Sequence, residues 1–258
     1  HSIVFGKKVE NVEEKGNKIN ILFTDGETKS VDYLVVSDGI FSETKSIIEK
    51  KFFKPNFLGA LAIRMEIKNE NISFLNYNNI SLIMGSNAHL VLYPINQKKE
   101  LNLVCIIRAD SEYKEPIKTI LDNTILKMNK NLINFFKDDL KSWPIYVSNK
   151  PIKSIYKNVF YIGDSFYTFS PTFAQGASQA IESANEIFEL INKKYPDIQD
   201  KYFKYRKSRT NLINKRSKFN YFMFHISNPL LKILRNFFLR KLVKNKNFVQ
   251  SYLGKIYQ

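Results

Sequence analysis

The stretch Val159-Phe160-Tyr161-Ile162-Gly163-Asp164, followed by Pro171 and the run Gln175-Gly176-Ala177-Ser178, decides the fold. Four apolar residues bounded by turn chemistry read as a short buried strand. Glycine then lets the chain leave that strand sharply. Beyond Pro171, the apolar positions Ala177, Ala180, Ile181, Ala184, Ile187, Phe188 and Ile191 recur at helical spacing. The order is therefore strand, loop, helix. In open α/β sheets ligands gather outside the carboxyl ends of the strands. Asp164 stands at such an end, where a carboxylate accepts hydrogen bonds from a sugar-like hydroxyl pair. The helix that begins near Gln175 aims its free N–H groups and positive dipole end at an electron-rich ligand atom. Gly176 permits close approach to the backbone, and Pro171 stiffens the loop before it.

Working outward, a second apolar run, Tyr33-Leu34-Val35-Val36, stops at Ser37-Asp38-Gly39. Before it, Ser2 to Val12 and Lys18 to Phe23 read as strands around a Lys15-Gly16-Asn17 turn, and Thr24-Asp25-Gly26 turns into Thr28 to Val36. This is a small antiparallel meander. Residues 57–110 carry the β-rich runs Leu58 to Ile67, His89 to Ile95 and Leu101 to Ile107, which predict a largely antiparallel sheet. Residues 116–140 are helical in pattern, with Trp143-Pro144 as the stop. An Asp-Gly or Gly-Asp pair alone is ordinary turn chemistry. The two gain meaning only if the loops around residues 38 and 164 converge on one crevice beside the amino end of the 175–192 helix.

With 258 residues, 44% of them hydrophobic, the chain can bury a sizeable core. Its single cysteine, Cys105, lies in the apolar run Leu103 to Ile107 and reads as a buried core residue. His1, His89 and His225 share no metal-ligand spacing, so no metal is expected. No apolar stretch approaches the ~20 residues of a membrane-spanning helix, and the expected location is cytoplasmic, with peripheral membrane contact as an option. Residues 193–258 hold 17 Lys and Arg against two Asp, whereas residues 1–192 hold 23 basic and 22 acidic residues. The body is neutral and the tail is basic. In the tail, Leu230, Ile233, Leu234, Phe237 and Phe238 form an apolar stripe against Lys232, Arg235, Arg240 and Lys241. Such a segment reads as ordinary solvated helices, or as a surface for anionic membrane or nucleic acid. The opening on His1, directly into an apolar run, reads as a fragment.

The segment Val31-Asp32-Tyr33-Leu34-Val35-Val36-Ser37-Asp38-Gly39-Ile40-Phe41-Ser42 resembles the Asp-Gly motif of the FAD-dependent aromatic hydroxylases related to p-hydroxybenzoate hydroxylase. Trp143-Pro144 through Gly163-Asp164, Pro171, Ala174-Gln175-Gly176-Ala177 and Ala180-Ile181-Glu182 resembles their Gly-Asp motif and its helix, nearest the salicylate hydroxylase branch. Tyr205-Arg206, Arg209, Arg216 and Phe224-His225 are similar to that branch's C-terminal helices.

The resemblance implies an α/β fold with α+β character. Residues 1–48 would form part of an FAD-binding domain, 49–150 a substrate domain on an antiparallel sheet, 151–195 the return of the FAD-binding domain, and 196–258 basic C-terminal helices. It implies that Asp164 holds the flavin ribityl chain, that Gln175 to Ser178 face the O2 edge of the isoalloxazine, and that Asp38 and Gly39 serve the pyrophosphate region and NAD(P)H. Gly163 and Pro171 shape the same site, and Arg64, Tyr93 and Pro94 are substrate candidates. The implied activity is hydroxylation of an aromatic or quinone-like molecule by O2, with NAD(P)H as reductant. A flavin reductase or halogenase of the same fold is the alternative within the class, and a non-catalytic basic module binding membrane or nucleic acid is the one outside it.

The sequence departs from the family in three places. Ser165-Phe166-Tyr167 replaces the usual Ala-Ala-His, and Lys45 stands where arginine is usual, which predicts a less bidentate pyrophosphate contact. None of the nine glycines forms a Gly-x-Gly pair, so the phosphate-cradling fingerprint is absent. The family pattern places that nucleotide-binding unit about one hundred residues ahead of this region.

Overall fold

In the computed structural model, which describes residues 2–68, 78–110, 117–128, 132, 135, 136 and 140–254, the chain divides into two units, His1–Asn56 with Tyr146–Ser217, and Phe57–Ile145 with Lys218–Gln258.

The first unit opens with β1 (Val9–Lys15), β2 (Lys18–Phe23) and β3 (Thr28–Val31), an antiparallel sheet in that order. The meander predicted from the turn residues is present. Its first strand begins at Val9 rather than Ser2, after Gly6 with φ 72°. The run expected as one strand from Thr28 to Val36 is broken at a bend, and β4 (Leu34–Val36) leaves the meander. It pairs in parallel with β10 (Val159–Tyr161), Leu34 opposite Val159 and Val36 opposite Tyr161. The Tyr33 ring, itself exposed, packs on buried Phe160 at the bend.

Three helices complete this unit: α1 (Glu43–Ile48), α3 (Gly176–Asn192) and most of α4 (Ile198–Phe224). Its core joins Phe160, Ile187, Leu190 and Tyr202. In α3 the apolar stripe is only partly the buried face. The buried face is Gln179, Ser183, Ile187 and Leu190, whereas Ala177, Ala184, Ile181 and Phe188 of the apolar stripe are exposed, the last two at 72% and 62%. The helix turns its polar residues inward because partners wait there: Arg206 for Gln179, and the backbone of Gly163 for Ser183.

The second unit is a five-stranded sheet in the order β6-β7-β8-β5-β9, built from β5 (Asn56–Lys68), β6 (Ser81–Met84), β7 (Ala88–Ile95), β8 (Glu100–Arg108) and β9 (Ser142–Val147). The pairs β6/β7, β7/β8 and β8/β5 are antiparallel, as the sequence predicts. Register places Ile63, Cys105 and Leu90 on one face. Against it pack Leu121 and Ile125 of α2 (Ile117–Met128) in a dry cluster. Cys105 is fully buried there, as its apolar setting predicts. The helix expected over 116–140 corresponds to α2; residue 116 and most of 129–139 lie outside the described residues. Trp143-Pro144 is no helix stop. It sits within β9, an edge strand, where a missing N–H costs little. In the C-terminal part of this unit, α5 (Pro229–Leu242) is capped by the Asn228 side chain, which accepts from the Leu230 and Leu231 N–H groups, and α6 (Lys246–Val249) follows.

Candidate functional site

Parallel pairing of β4 with β10 sets Val36 beside Tyr161, so Ser37-Asp38-Gly39 and Ile162-Gly163-Asp164 leave from adjacent carboxyl ends. Three further bonds bind the two turns together. The Ile162 N–H donates to the Val36 carbonyl at 3.0 Å. The Ser165 hydroxyl, fully buried, lies 2.7 Å from the carbonyls of both Val36 and Ile162. The Lys45 ammonium donates to the Ser165 carbonyl at 2.7 Å. The convergence that the two motifs require is thus built into the fold of the first unit.

Each turn owes its shape to local chemistry. Ser42 caps α1 by accepting from the Lys45 N–H at 3.0 Å, and Asp38 accepts from the Thr44 N–H at 3.1 Å. Gly39 has φ 86° with open space where a side chain would stand. Gly163 has φ 56°, and a Cβ there would lie 3.0 Å from the Ala180 Cβ, so only glycine lets the turn rest on α3. The Gly163 N–H points to the Ser183 hydroxyl at 3.4 Å.

The amino end of α3 has no side-chain cap, because Gln175 is itself in helical geometry. Gly176, Ala177 and Ser178 are exposed, with open space beside Gly176. Pro171 is exposed on the loop before them, and Ala174 takes the left-handed conformation, φ 52°. An uncapped helix start with free N–H groups favours an electron-rich ligand atom. Asp164 is exposed at the neighbouring turn, and partial burial pushes its carboxyl above the usual range, with Thr168 hydrogen bonding only partly opposing this.

Beneath this surface a polar network holds α3 to α4. Arg206, 1% exposed, donates to Glu182 at 2.9 Å, to Glu186 at 3.3 Å and to the Gln179 side chain at 2.6 Å. Gln179 in turn donates to Gln175 at 3.3 Å, and Arg209 donates to Glu182 at 2.9 Å. Burial opposes ionisation of Glu182, but Arg209 and Arg206 outweigh it and hold its carboxyl below the usual range. At Glu186 burial wins over Arg206, and the carboxyl is raised.

Two departures from the family acquire definite positions. Lys45 is buried with its charge spent on Ser165, so it ties the turns together rather than reaching outward, and burial lowers its pKa against the pull of Asp38 and Glu49. Tyr167 is turned inward, 5% exposed and against Phe169, and burial raises its phenol despite a hydrogen bond with Asn214. In the second unit, register puts Arg64 and Tyr93 on one face of the sheet and Pro94 on the face that α2 covers. Arg64 is exposed, and Tyr93 and Pro94 are half-buried. Sequence reading missed the structural service of Ser183, Gln179 and Arg206. Its only signal was a row of polar residues at helical spacing, Gln179, Glu182, Ser183 and Glu186. Among the described residues no group of three His, Cys, Asp or Glu is arranged for a metal ion, and no helix is long and apolar enough to cross a membrane.

With both motif turns inside it, residues 31–254 of the chain match a known family, whose description is squalene epoxidase. The chain belongs to the squalene epoxidase family. Relatives of this family member include the FAD-dependent monooxygenase OpS4 of Beauveria bassiana, 24% identical over 90% of this chain and 59% of that protein. Another is salicylate hydroxylase of Pseudomonas putida, 22% identical over 75% of this chain and 50% of that protein. Among solved structures, Klebsiella pneumoniae HpxO complexed with FAD and uric acid superposes with a TM-score of 0.81, at 15% identity, over 98% of this chain and 66% of that one. A salicylate hydroxylase substrate complex gives 0.73 at 18% identity, over 87% and 62%. The fold is that of these two structures, as the motifs imply. The chain spans about half the length of the curated relatives it matches, between 48% and 59% for the first three.

Proposed function

We propose that the protein is an FAD-dependent monooxygenase that takes electrons from NAD(P)H and hydroxylates an aromatic or quinone-like small molecule with O2. The observation that carries this reading is the placing of Asp38-Gly39 and Gly163-Asp164 at adjacent parallel strand ends, next to the open amino end of α3. The relatives support it, since they are named as FAD-dependent monooxygenases and as salicylate hydroxylase.

The residues present fit the flavin. Space is open beside Gly39 and Gly176, the first N–H groups of α3 lack a side-chain cap, and Asp164 offers an exposed carboxylate. In this reading Asp164 accepts hydrogen bonds from the ribityl hydroxyls. The backbone from Gln175 through Gly176 and Ala177 to Ser178 presents positive N–H groups to the electron-rich edge of the ring system. Asp38 and Gly39 serve the pyrophosphate side, Gly163 keeps the second turn tight against α3, and Pro171 limits the freedom of the loop. Hydride acceptance and oxygen activation are the chemistry that FAD supplies when bound. Arg64 and Tyr93, on a shared sheet face, are the substrate candidates of choice, and Pro94 a lesser one because it occupies the other face.

With this function goes a proposed organisation: residues 1–48 and 151–195 in the FAD-binding domain, 49–150 in the substrate domain, and 196–258 as C-terminal helices. Support for a larger FAD-binding domain comes from its sheet. Two parallel strands do not form a stable sheet by themselves, and parallel strands are normally covered on both faces. Val35 of β4 and Ile181 and Phe188 of α3 remain exposed, as apolar groups awaiting cover would be.

The test is purification of the product of the complete gene. It is expected to be yellow with a flavin spectrum, and to oxidise NADH or NADPH faster when an aromatic substrate is added. Labelled O2 should enter the product, which separates hydroxylation from reduction or halogenation. A colourless preparation that takes up no added FAD would refute the proposal. Gly176→Val should lower flavin content while leaving circular dichroism unchanged, because the added side chain enters ligand space rather than protein.

A further inference from the structure

The first unit holds a cavity of about 510 Å³ that the motif turns do not use. None of Asp38, Gly39, Gly163, Asp164 or residues 175–178 lines it. Its walls come from three separated segments. The chain just after α1 supplies Lys51 and Phe53, residues 150–153 supply Lys150 and Lys153, and α4 supplies Phe203 and Lys207. A hollow of this size suits a small organic molecule.

The lining carries four ammonium groups against one carboxylate. That carboxylate, Glu49, is engaged by the wall, where it accepts from the Tyr161 hydroxyl at 2.6 Å and from the Ile155 N–H at 3.2 Å. Lys153 pairs with Asp200 at 2.7 Å, but both side chains are exposed, so the pair is weak and open to exchange. Lys51, Lys150 and Lys207 are exposed and pair with no carboxylate among the described residues. Like charges gathered around one hollow repel each other, and an anion seated there relieves that repulsion.

These groups stand on fixed supports. Helix α1 ends in a Schellman turn: the Lys51 N–H donates to the Ser46 carbonyl at 3.1 Å and the Lys50 N–H to the Ile47 carbonyl at 3.3 Å, with Lys50 at φ 50°. On α4, Lys207 lies one helical turn beyond Phe203, its ammonium 5.7 Å from the ring centroid. The Phe203 ring packs edge-on against Phe166 at 6.1 Å, and Phe53 lies 5.2 Å from the Lys45 ammonium that Ser165 holds. Both rings are half-buried, so part of each remains for a ligand. An inorganic anion would use the lysines and leave the rings idle, and a neutral aromatic would do the reverse. A flat base carrying phosphate uses both, because rings stack on bases and a lysine meets phosphate as a point charge.

We propose that this cavity binds a nucleoside phosphate, with its phosphates among Lys51, Lys150 and Lys207 and its base against Phe203 and Phe53. The site goes beyond the flavin reading and does not rest on it.

The test is isothermal titration calorimetry of the product of the complete gene, as purified, with ADP, with pyrophosphate and with adenosine, at low and raised salt. ADP is expected to bind at one site, at least about fivefold more tightly than either fragment, and salt should weaken it. Lys51→Gln/Lys207→Gln should weaken ADP binding at least about fivefold. Both side chains are exposed, so the variant should keep its fold, which circular dichroism checks. Labelling of lysines with pyridoxal phosphate and borohydride, mapped by peptide mass, gives a second readout; ADP should protect Lys51, Lys150 and Lys207. No heat with ADP, pyrophosphate binding as tightly as ADP, affinity unchanged in the double variant, or ADP binding that displaces bound flavin would each overturn the proposal. A colourless protein would refute the flavin reading alone, since the ADP isotherm and its weakening in the variant are read without flavin.

Discussion

Replacing Arg206 by alanine tests how the amino end of α3 is held. The guanidinium is 1% exposed and faces Glu182, Glu186 and Gln179. Removing one partner of a buried ion pair costs roughly 3–5 kcal/mol, mostly through the charge left behind. Two features place this case at the low end. Glu182 retains Arg209 at 2.9 Å, and Glu186 already has a raised carboxyl that can take up a proton once its cation is gone. Two atoms of the network, Arg206 Nε and Glu186 Oε2, also lack hydrogen-bond partners among the described residues, so it is not saturated. The expected loss is about 3 kcal/mol, read from the midpoint of urea unfolding followed by circular dichroism. Glu186→Gln, which removes a carboxylate that burial already disfavours, should cost under about 1 kcal/mol. Amide exchange should quicken at residues 175–179, because Gln179 loses its anchor and Gln175 depends on Gln179. An Arg206→Ala protein that loses under about 1 kcal/mol, with unchanged exchange at those amides, would refute the view that this network fixes the start of α3.

Three further outcomes follow from the same geometry. Gly163→Ala should destabilise by about 1–3 kcal/mol, since alanine is strained at φ 56° and its Cβ would press on Ala180; thermal melting checks it, and an unchanged midpoint would count against the tight turn. Lys45→Met should cost about 1–3 kcal/mol by leaving the Ser165 carbonyl unpaired under α1, measured in the same way. The buried pair His89 and His225, with ring nitrogens 2.9 Å apart, supplies a pH dependence. Burial, followed by the neighbouring histidine, lowers His89 to about 3; burial, followed by Arg108, lowers His225 to about 4. Both rings stay neutral in the folded chain while the unfolded chain takes up protons near pH 6.5. The stability is therefore full above about pH 6.5 and is lost as pH falls towards the folded values of about 4 and 3. Melting temperatures should fall as pH drops from neutral to about 5, and His89→Gln should flatten that slope.

Where the sequence was legible, local chemistry left one choice. The Gly16 and Gly26 turns fixed the meander, because a short hairpin loop with its glycine sets the register of the strands it joins. Alternating apolar residues in 58–67, 89–95 and 101–107 specified an antiparallel sheet, since a slip by one residue would turn the whole core face to water. The two motif turns could be named for a similar reason: each needs glycine at positive φ after an apolar strand. Where it was misleading, the competition lay between segments far apart in the chain. Helical spacing in α3 gave an apolar stripe, yet Arg206 and Gly163 drew Gln179 and Ser183 inward and left Ile181 and Phe188 outside. In α5 the stripe was real, but Arg235 and Lys232 found partners on the protein side and reversed which face is bare. Pro144 reads as a helix stop from its own properties and as harmless only when its strand is known to be an edge.

By itself, then, the sequence determined the elements with a built-in period or a required glycine, and it identified the turns that carry Asp38 and Asp164. Only the tertiary structure decided that these turns lie side by side, which helix faces are buried, and that Lys45 points inward. Periodicity and turn chemistry act over a few residues and are written locally. The direction a polar side chain takes depends on a partner more than a hundred positions away, as Lys45 does on Ser165, and that pairing exists only once the chain has folded.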